Sequence, residues 1–125
     1  MYKKLDHKNL PDNSYSKELM KISSATFGIG GYQDVQFGLY LSFESKGSGV
    51  CADISGGWSW SIMPNERSQW SEYDRTKDMA KMSRTIYNIL KDAKVQTVDK
   101  LKGIPVEIIF KYNTIQSFRI LEEVL

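Results

Sequence analysis

The stretch SEYDRTKDMAKMSRTIYNILKDAKV, residues 71–95, decides how this 125-residue chain folds. Its apolar side chains recur at steps of three and four residues, which places them on one face of an α-helix. The stripe consists of Met79, Met82, Ile86, Ile89, Leu90 and Ala93. Ser71 or Asp74 can cap the start of the helix, where a carboxylate also faces the positive end of the helix dipole. We predict a helix over about 73–93 with Met79, Met82, Ile86 and Ile89 against a sheet.

Strands are predicted on both sides of this helix. QFGLYLSFE (36–44) alternates as a strand with one buried face does, SKGSG (45–49) is a turn cluster, and VCADIS (50–55) alternates again. Together these segments indicate a hairpin. IPVEIIFKY (104–112) and TIQSFRIL (114–121) predict two further strands after the helix. The order strands, helix, strands predicts a single α+β domain, in which an antiparallel β-sheet packs on one long α-helix.

The N-terminal residues 1–18 are polar and contain turn-forming residues, so we expect a mobile or loosely docked leader ahead of a domain at 19–125. Strand-like sequence begins near residue 21. FGIGGY (27–32) interrupts it with three glycines, and we expect a turn between strands there.

Composition restricts the class of protein. The chain carries 17 basic and 15 acidic residues, a net charge of +2, so we expect no duplex nucleic acid as partner. It has no apolar run near 18 residues and no signal-peptide pattern, so we expect no membrane association. Cys51 is the single cysteine, which suits a reducing cytoplasm. These features predict a soluble, intracellular protein.

Side chains that commonly act in catalysis or bind metal ions are scarce. His7 is the single histidine, and it lies in the leader, far in sequence from Cys51. A Cys–His pair or a Ser-His-Asp triad therefore requires the leader to fold back over the domain. One His and one Cys do not make a zinc site, and the glycines at 27–32 lack the spacing and the Lys-Ser/Thr of a phosphate loop. We expect no catalysis, no metal and no cofactor. Binding of a ligand or partner is then the remaining function.

The three tryptophans, Trp58, Trp60 and Trp70, fall in one irregular segment before the helix. Such rings cover core, cover a subunit partner or stack on a flat ligand. The helix also has a second, polar stripe, which is either solvated surface or a ligand-binding face. Its members are Lys77, Lys81, Arg84, Asn88 and Lys91.

Several of these segments together resemble a family of small phage proteins. The segments are TFGIGGYQDVQFGLYLSFESKGSGV, ISGGW, TIYNILKDAKV and TVDKLKGIPVEI, the last with Leu101, Gly103, Pro105 and Val106 in a Leu-x-Gly-x-Pro-Val turn. The family includes the phage Thoeris anti-defence proteins, and the resemblance covers about residues 21–125. Where its commoner members have an aromatic–acidic pair, this chain has Thr97-Val98-Asp99.

The resemblance implies a signal sponge in the host bacterial cytoplasm. Such a protein binds and sequesters cyclic ADP-ribose-type immune signals, and in some cases cyclic oligonucleotides, without cleaving them. It also implies a homodimer or higher homo-oligomer. A 14 kDa domain has little room for a cavity of several hundred cubic ångströms, so we expect the ligand site at the subunit interface.

The chemistry of such a nucleotide suggests which residues bind it. The pyrophosphate can be bound by Arg75 in the first helical turn, and by Arg84 together with Asn88 on the polar stripe. The nucleotide base can stack on an aromatic or methionine side chain. The candidate ligand-binding residues are Arg75, Met79, Arg84, Asn88, Tyr32, Trp58, Trp60 and Trp70. A small phage structural protein or a single-stranded nucleic-acid-binding protein remains the alternative.

Overall fold

The computed structural model describes all 125 residues and contains a five-stranded antiparallel sheet and one 22-residue helix. The predicted α+β class is therefore confirmed. The strands lie side by side in the order β3-β2-β1-β4-β5. The elements in chain order are β1 Tyr15–Gly30, β2 Gln36–Ser45, β3 Ser48–Trp58, α1 Glu72–Ala93, β4 Pro105–Lys111 and β5 Thr114–Ile120. Three short 3-10 turns lie at Tyr32–Asp34, Val98–Leu101 and Glu122–Val124.

Helix α1 begins where the sequence predicts a cap. The Ser71 side chain accepts a hydrogen bond from the Asp74 backbone N–H, and the Asp74 carboxylate accepts one from the Ser71 backbone N–H. This capping box satisfies two N–H groups that a helix start otherwise leaves unpaired. The helix ends at Ala93, and the cap residue Lys94 adopts the left-handed conformation and donates its backbone N–H to the carbonyls of the last turn. α1 is too polar to cross a membrane, and the chain has no other α-helix.

The core lies between α1 and one face of the sheet. Alternate residues of β2, namely Leu39, Leu41 and Phe43, are almost fully buried, and the Phe43 ring lies 5.1 Å from that of Phe118 on β5. Met82 and Ile89 of α1 are buried on the same side. The alternation in β2 and the three- and four-residue steps in α1 thus fill one apolar layer.

Strand β1 is twice as long as the sequence suggests. Its first part, Tyr15–Lys21, pairs with β4, and its second part, Lys21–Gly30, pairs with β2. Gly28 and Gly30 lie inside the strand, so the turn expected at 27–32 begins only at Gly31. Both glycines pair with β2, Gly28 with Gly38 and Gly30 with Gln36, and the Tyr40 ring lies where a side chain on Gly30 would be.

The N-terminal residues pack against the sheet, which corrects the expectation of a loosely docked leader at 1–18. Tyr2 forms a parallel bridge with Phe118, and the Lys3 backbone N–H donates to the Phe118 carbonyl at 2.8 Å. The Tyr2 and Phe118 rings lie 5.0 Å apart. Further on, His7 is buried against β4 and β5. Residues 1–3 thus cover the outer edge of β5, and β1 already begins at Tyr15.

Candidate functional site

The largest cleft of the molecule lies between edge strand β3, helix α1 and the N-terminal residues. We call it the β3–α1 cleft. It is open to solvent on one side and has a volume of about 700 Å³, which is in the range of small-molecule sites. A single chain thus has the room that we expected only between subunits, because the cleft is open at the surface and does not hollow out the core. Its walls are formed by Met1, Tyr2, Lys4, Gln36, Asp53, Ile54, Ser55, Gly57, Asp78, Lys81, Met82 and Thr85.

Four charged side chains line this cleft. Lys4 comes from the N-terminal segment, Lys81 and Asp78 from α1, and Asp53 from β3. Each of them is exposed, and none forms an ion pair with another residue of the chain. Two ammonium groups and two carboxylates are thus available to a ligand that carries both anionic and hydroxyl groups.

The N-terminal wall of the cleft is held by Asp92, near the end of α1. The Asp92 carboxylate accepts a hydrogen bond from the Tyr2 hydroxyl and pairs with the Lys3 ammonium at 2.8 Å. Burial disfavours the Asp92 carboxylate, but these two partners outweigh it and lower its pKa. Burial and the bond to Asp92 raise the pKa of Tyr2, so Tyr2 stays a neutral donor. The wall is therefore a fixed part of the structure.

A smaller cleft of about 300 Å³ adjoins the first along α1, and Tyr2 and Thr85 line both. Asn88, one of the predicted ligand-binding residues, lines this second cleft together with Lys91 and Asp92. Arg84 lines neither cleft, and its side chain is exposed. Of these two predicted residues, four apart on α1, only Asn88 therefore borders a cleft. On a helix with 3.6 residues per turn, Arg84 points almost directly away from the buried stripe.

Arg75, expected to contact a pyrophosphate, is buried beneath residues 58–70, the segment that contains the three tryptophans. Its Nη1 donates to the backbone carbonyls of Ser59 at 2.6 Å and Ile62 at 2.5 Å, and its Nη2 pairs with the Glu72 carboxylate. The guanidinium lies over the rings of Trp60 and Trp70, 4.9 Å and 5.0 Å from the ring centroids. Arg75 therefore holds the segment on the helix and has little surface for an anion, which corrects the expectation.

The three tryptophans form a ladder with Arg75. The Trp58 and Trp70 rings are stacked, with centroids 6.3 Å apart and planes 25° from parallel, and Arg75 lies between Trp70 and Trp60. Trp58 is 41% and Trp60 49% exposed, so each end of the ladder retains open surface. The rings pack on one another and on a cation, and none of them lines the β3–α1 cleft.

Met79 and Tyr32, the remaining predicted ligand-binding residues, lie in different surroundings. Met79 is buried, and its sulfur occupies the place where a side chain on Gly56 would be. It therefore packs α1 onto β3 and offers no surface to a base, contrary to the expectation. Tyr32 is 80% exposed in the 3-10 turn after β1 and is absent from both clefts.

The His7 ring is hydrogen-bonded to a carboxylate on one side and to a hydroxyl on the other. Its Nδ1 lies 2.9 Å from Glu107 Oε1, and its Nε2 lies 3.0 Å from Ser117 Oγ. This is the order of groups in a Ser-His-acid triad. However, Ser117 is completely buried, and its Oγ also accepts the Leu5 backbone N–H at 3.2 Å. The network thus joins the N-terminal segment to β4 and β5, and the serine has no open face for a substrate.

The other candidate nucleophile is far from this histidine. Cys51 is exposed on β3, at one edge of the sheet, and His7 packs on β4 and β5 at the opposite edge. The leader does fold back, but it does so away from the cysteine. No group of three or more His, Cys, Asp or Glu side chains is arranged to hold a metal ion.

Sequence reasoning missed the residues that form the cleft. Lys81 belongs to the polar stripe, but nothing in its spacing distinguishes it from Lys77 or Arg84. Tyr2 and Lys4 lie in a segment that looks like a polar leader, and only their packing on α1 and β5 brings them to the site. For Arg75 a signal exists: it precedes Met79 by four residues and so falls on the buried stripe.

Fold and site together define a small α+β domain with an open, charged cleft at the edge of its sheet. No protein-family profile, curated protein or solved structure matches the chain.

Proposed function

We propose that this protein binds a small anionic nucleotide in the β3–α1 cleft and sequesters it without cleaving it. The class of ligand that the resemblance implies is a cyclic ADP-ribose-type signal, which would make the protein a phage anti-defence sponge. The observation that carries the proposal is the convergence of Lys4 and Lys81, both without a carboxylate partner, on a cleft of about 700 Å³.

The side chains of the cleft suit the parts of such a ligand. Lys4 and Lys81 lie on two of its walls and can each approach a phosphate oxygen, where a charge-assisted hydrogen bond contributes about 1.5–3 kcal/mol. Asp53 and Asp78 can accept hydrogen bonds from ribose hydroxyls. Tyr2 also lines the cleft, with its ring in contact with Phe118 and the Lys3 ammonium, and a base that stacks on its remaining surface gains about 1–3 kcal/mol. A few such contacts in a preorganised site give nanomolar binding, about −12 kcal/mol.

Binding without cleavage is supported by the position of the single histidine. Both ring nitrogens of His7 are already bonded, to Glu107 and Ser117, and His7 is not among the residues that line the cleft. Sequestration needs affinity and no general base. In the proposed complex the cleft side chains bind and orient the nucleotide and transfer no proton to it.

The proposal is tested by titration calorimetry with cyclic ADP-ribose isomers and with linear ADP-ribose. We expect Lys81→Ala to weaken binding by about 2 kcal/mol, roughly 30-fold, because a charge-assisted contact is lost. Arg84→Ala is the matched control, since it removes a cation of the same helix that lies outside both clefts. Nucleotide released by heating the complex should be chemically intact by chromatography.

Two outcomes would contradict the proposal in different ways. If Arg84→Ala weakens binding and Lys81→Ala does not, the ligand binds the solvent face of α1 and the β3–α1 cleft is not the site. If hydrolysed nucleotide is recovered, the protein is an enzyme.

The alternative of single-stranded nucleic-acid binding is favoured by one observation, the open surfaces of Trp58 and Trp60. Exposed rings provide stacking platforms for bases. A single-stranded oligonucleotide in the same calorimetric series distinguishes the two functions. Binding of the oligonucleotide that is lost in Trp60→Ala and retained in Lys81→Ala would favour this alternative.

A further inference from the structure

Part of strand β1 has a partner on only one side. From Ser24 to Gly30 the strand pairs with β2, whereas its pairing with β4 ends at Lys21. The loop before β4 extends the covered edge by a single residue, through hydrogen bonds from the Gly103 N–H to the Ile22 carbonyl and from the Ile22 N–H to the Ile104 carbonyl. Beyond this point no backbone or side-chain hydrogen bond reaches the free edge.

Of the two outer edges of the sheet, that of β5 is covered, whereas that of β3 has no strand beside it. Residues 1–3 run beside β5 and bond to Phe118, and β3 borders the β3–α1 cleft, where it presents the carboxylate of Asp53. The seven residues from Ser24 to Gly30 are as long as an ordinary strand. An uncovered edge of this length is a template for pairing with another strand.

The free edge has neither of two features that commonly protect such a strand, a charged residue or a proline, although a bulge between Ile22 and Ser24 precedes it. ISSATFGIGGYQ, residues 22–33, contains no charged residue and no proline. Lysine and proline are common on exposed edge strands because they prevent edge-to-edge association. No charge on this segment repels an identical segment from a second molecule.

Two large apolar side chains of the same segment are also exposed. Phe27 pairs in register with Leu39, and Ile29 with Phe37, so both side chains lie on the face of the sheet that carries the core. Phe27 is nevertheless 50% and Ile29 69% exposed. The Phe27 ring packs edge-on against Phe37 at 5.1 Å, and its other side is open to solvent.

We infer that the edge Ser24–Gly30 of β1 pairs antiparallel with the same edge of a second copy of this chain. Antiparallel pairing of identical strands has two-fold symmetry, so each copy offers and receives the same surface. Two five-stranded sheets become one sheet of ten strands, in which the Phe27 and Ile29 side chains of the two copies contact each other. The occupant is a second copy, because an uncharged, symmetric strand edge complements itself. This inference does not depend on the nucleotide proposed above.

The experiment is light scattering after size-exclusion chromatography at micromolar concentration. We expect the parent protein to elute with twice the 14.3 kDa mass of the chain. Ile29→Lys places an unpaired ammonium in the interface and should weaken dimerisation at least tenfold. Because Ile29 is largely exposed, the monomeric Ile29→Lys variant should have the same melting temperature as a Leu19→Lys variant. Leu19→Lys is the matched control: Leu19 lies on the same strand and is 60% exposed, but it lies where β1 already pairs with β4.

Amide hydrogen exchange on the parent protein provides a second measurement that requires no variant. Exchange at residues 24–30 should slow as protein concentration rises, and exchange at Leu19 should not change. A parent protein that is monomeric at high micromolar concentration would overturn the inference. A dimer that Ile29→Lys leaves intact, with concentration-independent exchange at residues 24–30, would overturn it as well, because the copies would then associate through another surface.

Discussion

The hydroxyl of Tyr2 donates a hydrogen bond to the carboxylate of Asp92, 90 positions further along the chain. This contact closes the N-terminal segment over α1 and thereby builds one wall of the proposed nucleotide site. Asp92 binds the Lys3 ammonium as well, so a single carboxylate fixes two consecutive residues of the segment. The N-terminal residues are thus a structural part of the cleft.

Replacement of this carboxylate should loosen the wall. In Asp92→Asn the ion pair with Lys3 is lost and the bond from Tyr2 is weakened, a cost of about 1–2 kcal/mol. Amide exchange at Lys3 and Phe118, whose N–H groups bond between the segment and β5, should become roughly tenfold faster. Asp99→Asn, at an exposed carboxylate outside the cleft, is the control and should leave both rates unchanged.

Arg75 should be essential to stability in a way that Arg84 is not. Arg75→Ala removes the donor to the Ile62 carbonyl and one of the two donors to the Ser59 carbonyl, which keeps the Ile62 N–H, and it removes the cation between two indole rings. We expect a loss of about 3 kcal/mol in the free energy of unfolding, measured with urea. Arg84→Ala should change it by less than about 0.5 kcal/mol. Equal stability of the two variants would show that the Arg75 contacts do not hold the segment.

The close approach of α1 to β3 depends on the lack of a side chain at Gly56. A methyl group there would overlap the sulfur of Met79, so Gly56→Ala should lower the free energy of unfolding by about 1–3 kcal/mol. Gly49 lies on the same strand, and a methyl group on it would lie 3.4 Å from its nearest neighbour, the Phe43 carbonyl. Gly49→Ala should therefore be nearly neutral. A neutral Gly56→Ala would show that Met79 moves aside freely.

Stability should depend on pH through His7. Burial lowers the pKa of His7 below its ordinary value of 6.5, an effect that the nearby Glu107 only partly offsets. The unfolded chain therefore binds a proton at a higher pH than the native protein does, and the free energy of unfolding should fall as pH drops from about 7 to about 5. In His7→Gln this slope should largely disappear in urea titrations. An equal slope in the variant would assign the effect to another group.

The carboxylates contribute in a different pH range. The pKa of Glu107 is lowered because its bonds to His7 and Arg119 outweigh the effect of burial, and that of Asp92 is lowered by Lys3 and Tyr2. Each stabilises the fold above its unfolded pKa, near 4.5 and 3.8, and that contribution is lost only as pH falls further. On acidification, the loss of unfolding free energy that comes from His7 is therefore observed before the loss that comes from the carboxylates.

The local parts of this fold could be predicted from sequence. The spacing from Met79 to Ala93 and the cap at Ser71 define α1, and the alternation from Phe37 to Phe43 defines β2, because both patterns depend on neighbours a few residues apart. The course of β1 through Gly28 and Gly30 could not, since it depends on pairing with Gly38 and Gln36 of the adjacent strand β2.

The candidate site was less accessible to such reasoning. Tyr2 and Lys4 reach the cleft only through contacts with β5 and α1, which are distant in sequence and have no periodic signature. The polar stripe predicts both Asn88 and Arg84 as ligand-binding residues, but Asn88 lines the smaller cleft and Arg84 lines neither. Residue type identifies groups that can bind an anion, and tertiary packing decides which of them share a cavity.

The ladder of Trp58, Trp70, Arg75 and Trp60 contains every tryptophan of the chain. Intrinsic fluorescence therefore reports on the junction between this loop and the first turn of α1, whereas far-ultraviolet circular dichroism reports on the whole fold. Thermal melts followed by the two signals coincide if the junction and the sheet unfold together, and they separate if the loop detaches first. Trp58 also follows Gly57, which lines the β3–α1 cleft, so the protein carries a built-in optical probe beside its proposed site.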